Sequence, residues 1–172
     1  MIVLGILCIM IFAASIIALR PIRKKTKSLY LKAFVSIFIG SVLTLIIVTQ
    51  LIISITPWFE PRYLIPLAGI IFANSMNAVS IGAERFEIEI QRDNNYEKAR
   101  CFALQTALIP IANSLFAVGL VSLPGMMTGQ ILSGTSPLIA SRYQIMVMCM
   151  VFGSAGISAA VYLFITKKII SC

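Results

Sequence analysis

The chain has 172 residues, 59% hydrophobic and 12% charged, where a soluble domain carries roughly 25% charged residues, and its mean hydropathy is +0.99; an ordinary water-soluble domain is excluded and a membrane protein predicted. The net charge of +8 would suggest nucleic acid in a soluble chain, but six of the fourteen basic residues (Arg20, Arg23, Lys24, Lys25, Lys27, Lys32) fill one short link between apolar runs, where they read as a topology signal and a contact for anionic lipid, with no nucleic-acid partner. There is no histidine, no Walker-type GxxxxGK[ST] motif and no CxxC pair among Cys8, Cys101, Cys149 and Cys172, so a P-loop is excluded, the commonest general base and metal ligand is missing, and the cysteines read as buried small hydrophobes.

Met1 to Leu19 is apolar throughout and as a helix spans about 28 Å, just enough for the hydrocarbon core. A secretory signal would carry its positive charge before the apolar run, and here the charge follows it. The expectation is therefore a spanning helix with Met1 outside and the Arg20 to Lys32 cluster in the cytoplasm. Pro21 suits the stop. Ala33 to Ile55 forms the second span, with Gly40 and Ser41 as a small break. It ends at Thr56-Pro57-Trp58-Phe59-Glu60-Pro61-Arg62-Tyr63, read as an external turn with Trp58 and Tyr63 at headgroup level.

The third span begins near Leu64, with Pro66 in its first turn. Asn74, Asn77, Ser80, Glu84, Glu87 and Gln91 follow at spacings of three or four, which places them on one face of a helix that continues past the membrane. The asparagine pair reads either as interhelical glue, worth roughly 0.6 to 2 kcal/mol, or as the lining of a pathway. Glu84 to Arg100 is the only extended polar segment, with five acids and four bases. It is predicted helical, broken at Asp93-Asn94-Asn95 and restarted by the capping-box spacing Asn94-x-x-Glu97. It is either a solvated face or a docking surface for a cytoplasmic partner.

Cys101 to Leu123 is the fourth span, kinked at Pro110. Pro124-Gly125 breaks the chain, and Met126 to Gly134 is too short to span and too apolar for an ordinary loop, so it reads as re-entrant or interfacial. Between Ala107 and Tyr143 lie two prolines inside apolar sequence (Pro110 and Pro124), four glycines and Asn113; such breaks persist in hydrocarbon only where protein or a water-filled cavity satisfies the freed backbone, which makes this stretch the expected wall of a pathway. Ser136-Pro137 opens a short segment to Tyr143. Gln144 to Ile165 is the fifth span, closed by Lys167 and Lys168. The expected fold is an all-α integral membrane protein of about five transmembrane helices, with a re-entrant or broken segment after the fourth. Alternation then leaves twelve Lys/Arg in cytoplasmic segments and two, Arg62 and Arg142, outside, as positive-inside orientation requires, with the C-terminus in the cytoplasm.

LIPLAGIIFANSMNAVSIGAERF (Leu64 to Phe86), TALIPIANSLFAVGLVSLPGMMTGQILSG (Thr106 to Gly134) and RYQIMVM (Arg142 to Met148) resemble the FetB-type permease family, bacterial membrane subunits of an ATP-binding-cassette system associated with iron export, with plant relatives linked to aluminium tolerance. The LPGMMTG signature is long and specific, and weaker similarity runs back through the KAF motif (Lys32 to Phe34) to about residue 8. Family members carry about two further membrane helices ahead of the segment matching Met1 to Leu19, so residues 1–172 are expected to form a single permease domain lacking them. Relatives also carry a longer, glycine-containing coupling segment before the ALIP motif, whereas here Tyr96 to Arg100 runs almost directly into Phe102 to Gln105.

The resemblance implies an inner-membrane permease subunit, not itself an enzyme and without a cofactor of its own, working as a homodimer with a separate cytoplasmic ABC ATPase that carries the ATP. On that reading Asn74, Asn77, Asn113 and Gln130, with Met126 and Met127, line the substrate pathway. Glu84, Glu87, Arg92, Glu97 and Arg100 lie in the segment the ATPase would grip. Met126, Met127, Met146, Met148 and Cys149 offer soft ligands suited to Cu(I)-like ions rather than to iron, or else fill space as methionine commonly does. The alternative is a non-ATP-driven transporter or structural membrane subunit. A proton- or sodium-driven carrier would usually show a carboxylate within a span, and all six acids fall in links or at a span's end.

Overall fold

The computed structural model describes residues 2–22, 26–52, 61–93, 95–118 and 124–170. The described residues are helical, with no strand: α1 (Ile2–Ala18), α2 (Lys27–Ile46) running on into a π-helical turn (Ile47–Ile52), α3 (Pro61–Asp93), α4 (Tyr96–Ala117), the short α5 (Gly125–Leu132) and α6 (Pro137–Ile170). Three stretches are long and apolar enough to cross a membrane, Lys27–Gln50, Leu64–Arg92 and Pro137–Thr166, and Gly5–Ala18 is a shorter apolar helix. Three of the expected five spans meet that measure among the described residues; Gly5–Ala18 is shorter, and the predicted fourth span, Cys101 to Leu123, runs into residues outside those described. The predicted end of the fourth span at residues 119–123 and the turn at residues 56–60 lie outside the described residues.

Three boundaries differ from the sequence reading for local reasons. α3 starts at Pro61, because proline's preset φ and missing N–H suit the first helical position, and this leaves Pro66 inside the helix instead of in its first turn. α4 is capped by Asn95, whose side chain accepts a hydrogen bond from the Lys98 amide at 3.2 Å, one position later than the predicted Asn94-x-x-Glu97 box. The helix from Pro137 does not pause at Tyr143. The Ser136 carbonyl accepts from the Ile139 and Ala140 amides at 3.0 Å, and nothing between Pro137 and Gln144 breaks the ladder. A helix of 34 residues results, about 51 Å long and well beyond the hydrocarbon thickness.

The core is stacked in two layers along the bundle. One gathers Ile11, Leu45, Val48, Leu64, Leu67, Ile71, Ala107, Ile111, Val147 and Met150. The other gathers Ala18, Leu19, Ile22, Ala33, Ile37, Val79, Ala83, Phe86, Ala99, Ala103, Tyr162 and Leu163. The second layer joins the end of α1, the start of α2, the lower half of α3, the start of α4 and the end of α6, so the segments richest in basic residues share one end of the molecule.

α2 packs against α6 through small side chains: Ser36, Gly40, Ser41 and Thr44 on α2 and Ser154, Ala155, Ser158 and Ala159 on α6 are all buried. Lipid offers no hydrophobic drive for helices to associate, and small residues let backbones come close enough for dispersion to act instead. Of the buried hydroxyls, Thr44 Oγ1 donates to Gly40 O at 2.7 Å and Ser154 Oγ to Val151 O at 3.1 Å within their own helices, Ser41 and Ser75 join α2 to α3 at 3.2 Å, and Ser158 Oγ has no partner among the described residues.

Candidate functional site

On α3 the polar side chains predicted to share a face do so, and that face points outward. Asn77, Glu84 and Gln91 are exposed and Asn74, Ser80 and Glu87 half-exposed, whereas Ile71, Ser75, Ala78, Val79, Gly82, Ala83 and Phe86 on the opposite face are buried against the rest of the bundle. Asn74 Nδ2 donates to Ile70 O at 2.8 Å, so its amide is partly satisfied by its own helix. Asn113 is likewise exposed, on α4. The structure therefore does not gather the expected amides around one internal space; it distributes them over outward faces of two helices.

A recess open to the surface lies elsewhere in the fold. A cavity of about 340 Å³ opens between the end of α4, α5 and the first turns of α6, lined by Leu115, Val118, Met127, Ser141, Gln144, Ile145, Met148 and Cys149. Among the pathway residues expected from sequence, Met127 alone lines it; Met126 is exposed at 38%, and Gln130 is half-buried beyond it on α5. Gln144 was not singled out by sequence reasoning, although an amide set in the apolar run Ile139 to Val161 was a readable signal. It is 5% exposed, and its Oε1 is buried without a hydrogen-bond partner among the described residues.

α5 is held in place by its two ends. Its N-terminus follows Pro124. Its C-terminus closes in a Schellman arrangement, Gly134 N donating to Ile131 O and Thr135 N to Gln130 O, both at 3.0 Å. Gly134 has φ of 93°, a left-handed conformation that glycine adopts without a Cβ penalty. The apolar segment between Pro124 and Gly134 is thus a capped helix of eight residues lying against α6.

At the opposite end stand the residues expected to couple to a partner. Glu84 and Arg92 on α3 and Glu97 on α4 are exposed, and Glu87 and Arg100 half-buried. Arg100 pairs with Glu97 at 3.3 Å, and its guanidinium lies over the rings of Phe164 and Tyr96 at 5.2 and 6.0 Å. Tyr96 Oη donates to Leu163 O at 2.7 Å, and its ring meets Phe86 edge-on at 5.8 Å. Burial pushes the Tyr96 phenol above its ordinary value. The start of α4 is thereby fastened to both α3 and α6. Beside it, Arg85 and Glu89 form an ion pair at 2.6 Å with Glu89 buried.

The family model for the uncharacterised protein family UPF0014 matches residues 1–170. The chain belongs to the UPF0014 family. Its relatives include the UPF0014 membrane protein slr1647 of Synechocystis sp., 35% identical over 180 aligned positions, covering 93% of this chain and 70% of that protein. The Protein ALUMINUM SENSITIVE 3 of Arabidopsis thaliana is 35% identical over 142 positions, covering 74% of the chain and 51% of that protein. The "Probable iron export permease protein FetB" of Escherichia coli is 34% identical over 154 positions, covering 81% and 58%. This UPF0014 chain thus spans from about half to 70% of the length of these relatives. No solved structure matches it.

Proposed function

We propose that this UPF0014 chain is the membrane permease subunit of an ABC-type transporter, that two copies form the transmembrane unit, and that a separate cytoplasmic ATPase drives export of an iron-like metal ion or small solute. The reading is supported by the relation to a protein named as an iron export permease. The observation that carries it in this chain is the polar outward face of α3. A helix apolar enough to cross a membrane exposes Asn77 and half-exposes Asn74 and Ser80 on one side. An amide turned to hydrocarbon would go unsatisfied at a cost of several kcal/mol. A second copy, a water-filled path between copies, or both would satisfy it. Below the membrane the same face continues as Glu84, Glu87 and Gln91, and α3, at 33 residues, is about 50 Å long and projects beyond the hydrocarbon. Its projecting end and the exposed Glu97 are what a cytoplasmic motor would grip.

Two experiments test this. An ATP-binding-cassette subunit is expected to co-purify with the chain, and ATP to drive metal-ion flux in vesicles holding both; absence of a nucleotide-binding partner together with ATP-independent flux overturns the reading. Asn77→Leu is expected to lower flux at least tenfold while the chain still folds, whereas the same change at the buried-face position Ser75 is expected to act on stability. Unchanged flux in Asn77→Leu removes the pathway role of this face.

A further inference from the structure

We propose that the cavity between α4, α5 and α6 is a binding site for a soft monovalent cation of the Cu(I) or Ag(I) class, held by Met127, Met148 and Cys149. The structure sorts the five sulfur side chains of this region by placement. Met127 from α5 and Met148 and Cys149 from α6 line one cavity, Cys149 with its side chain exposed, while Met126 is outside that lining and Met146 packs on the apolar core. Two thioethers and a thiol contributed by two helices to one cavity form a donor set that favours soft ions. Among the described residues no carboxylate lines the cavity, and the chain holds no histidine, so the donors there suit hard divalent and trivalent ions poorly.

Gln144 supplies the second, independent observation. It lines the same cavity at 5% exposure, and its Oε1 is without a partner among the described residues. A buried amide oxygen left unpaired carries its desolvation penalty in full. Turned to face the cavity, that oxygen offers a bound cation a fourth donor. The volume of about 340 Å³ far exceeds the ion's own, and the unbranched methionine side chains have the rotatable bonds to close on it.

Binding is balanced as Cu⁺ plus the Cys149 thiol giving a Cu–S bond and one released proton, with no change of oxidation state. The proposal stands apart from the transport reading: it is tested by binding alone, with neither an ATPase nor flux.

The experiment uses the full chain in detergent micelles, with Cys8→Ser, Cys101→Ser and Cys172→Ser as background, titrated anaerobically with Cu(I) against a chromogenic Cu(I) chelator. A single stoichiometric site with sulfur neighbours in the Cu absorption spectrum is expected. Met127→Leu, Met148→Leu and Cys149→Ser should each weaken it about 10- to 100-fold. The Met126→Leu and Met146→Leu variants should leave it unchanged. The leucine changes conserve volume and are well tolerated in packed cores, so helicity by circular dichroism is retained. Undiminished binding when Met127→Leu, Met148→Leu and Cys149→Ser are combined, equal loss in the two control variants, or no Cu(I) binding with the cavity holding a detergent or lipid tail instead would each overturn the assignment.

Discussion

Tyr96 does more for the fold than the acids and bases around it. Its hydroxyl donates to a carbonyl of α6, its ring meets Phe86 of α3, and Arg100 lies over it, so one aromatic residue at the start of α4 fastens three helices. Tyr96→Phe keeps the ring and removes the hydrogen bond, and is expected to lower stability by about 1 kcal/mol, read by chemical denaturation in micelles. The phenol's pKa is raised above its ordinary 10.0, chiefly by burial. The folded state therefore favours the neutral, donating form. Its contribution is complete below the unfolded value and is lost as pH rises through the higher folded one. In phenolate absorbance the late-titrating amplitude should fall by one tyrosine in Tyr96→Phe. Arg100, engaged with two rings and Glu97, has a structural task, which leaves the exposed Glu84 and Arg92 as coupling candidates.

Between elements, the α2–α6 seam depends on the absence of side chains. A Cβ at Gly40 would meet Ser158 Oγ, the Ser158 amide nitrogen at 2.8 Å and the Ser154 carbonyl at 3.1 Å. Backbone cannot give way as a side-chain tip can. Gly40→Ala should therefore cost about 1 to 3 kcal/mol through overpacking, despite alanine's better helix propensity. Gly69→Ala on α3 is the contrast. There the nearest neighbour is Met10 Cε at 3.5 Å, an ordinary contact, and helix propensity predicts no loss and a gain of up to about 1 kcal/mol. Melting both variants in the same detergent checks the pair; equal destabilisation would mean that the seam is looser than these distances imply.

At the scale of the whole molecule, the two core layers order the bundle from end to end. The layer containing Leu19, Ala33, Phe86, Ala99 and Leu163 brings the flanks of the Arg20–Lys32 link, the α3–α4 corner and the end of α6 together, and the cavity with α5 lies toward the other end. Cations held at one end of a bundle favour the cytoplasmic side. Single cysteines introduced on a cysteine-free background at Lys98 and Thr135 are expected to react with an impermeant maleimide from opposite sides of the membrane, Lys98→Cys from the cytoplasm. Labelling of both from one side would dismantle this arrangement and the pathway with it.

What the residues settled unaided was whatever rests on local rules. Apolar length and the placement of Lys and Arg gave helices, their membrane setting and the shared end of the basic links. The spacing of Asn74, Asn77, Ser80, Glu84, Glu87 and Gln91 gave a single polar face. Periodicity states that a face exists but not what it confronts, and only the packed bundle showed this one turned outward. The same limit hid Gln144: one amide in an apolar run looks alike whether it bonds a neighbour or sits unpaired beside a cavity, because the difference lies in atoms contributed by α4 and α5. The convergence of Met127 with Met148 and Cys149 is likewise tertiary, since residues about twenty positions apart meet only when the Gly134 turn folds α5 back against α6.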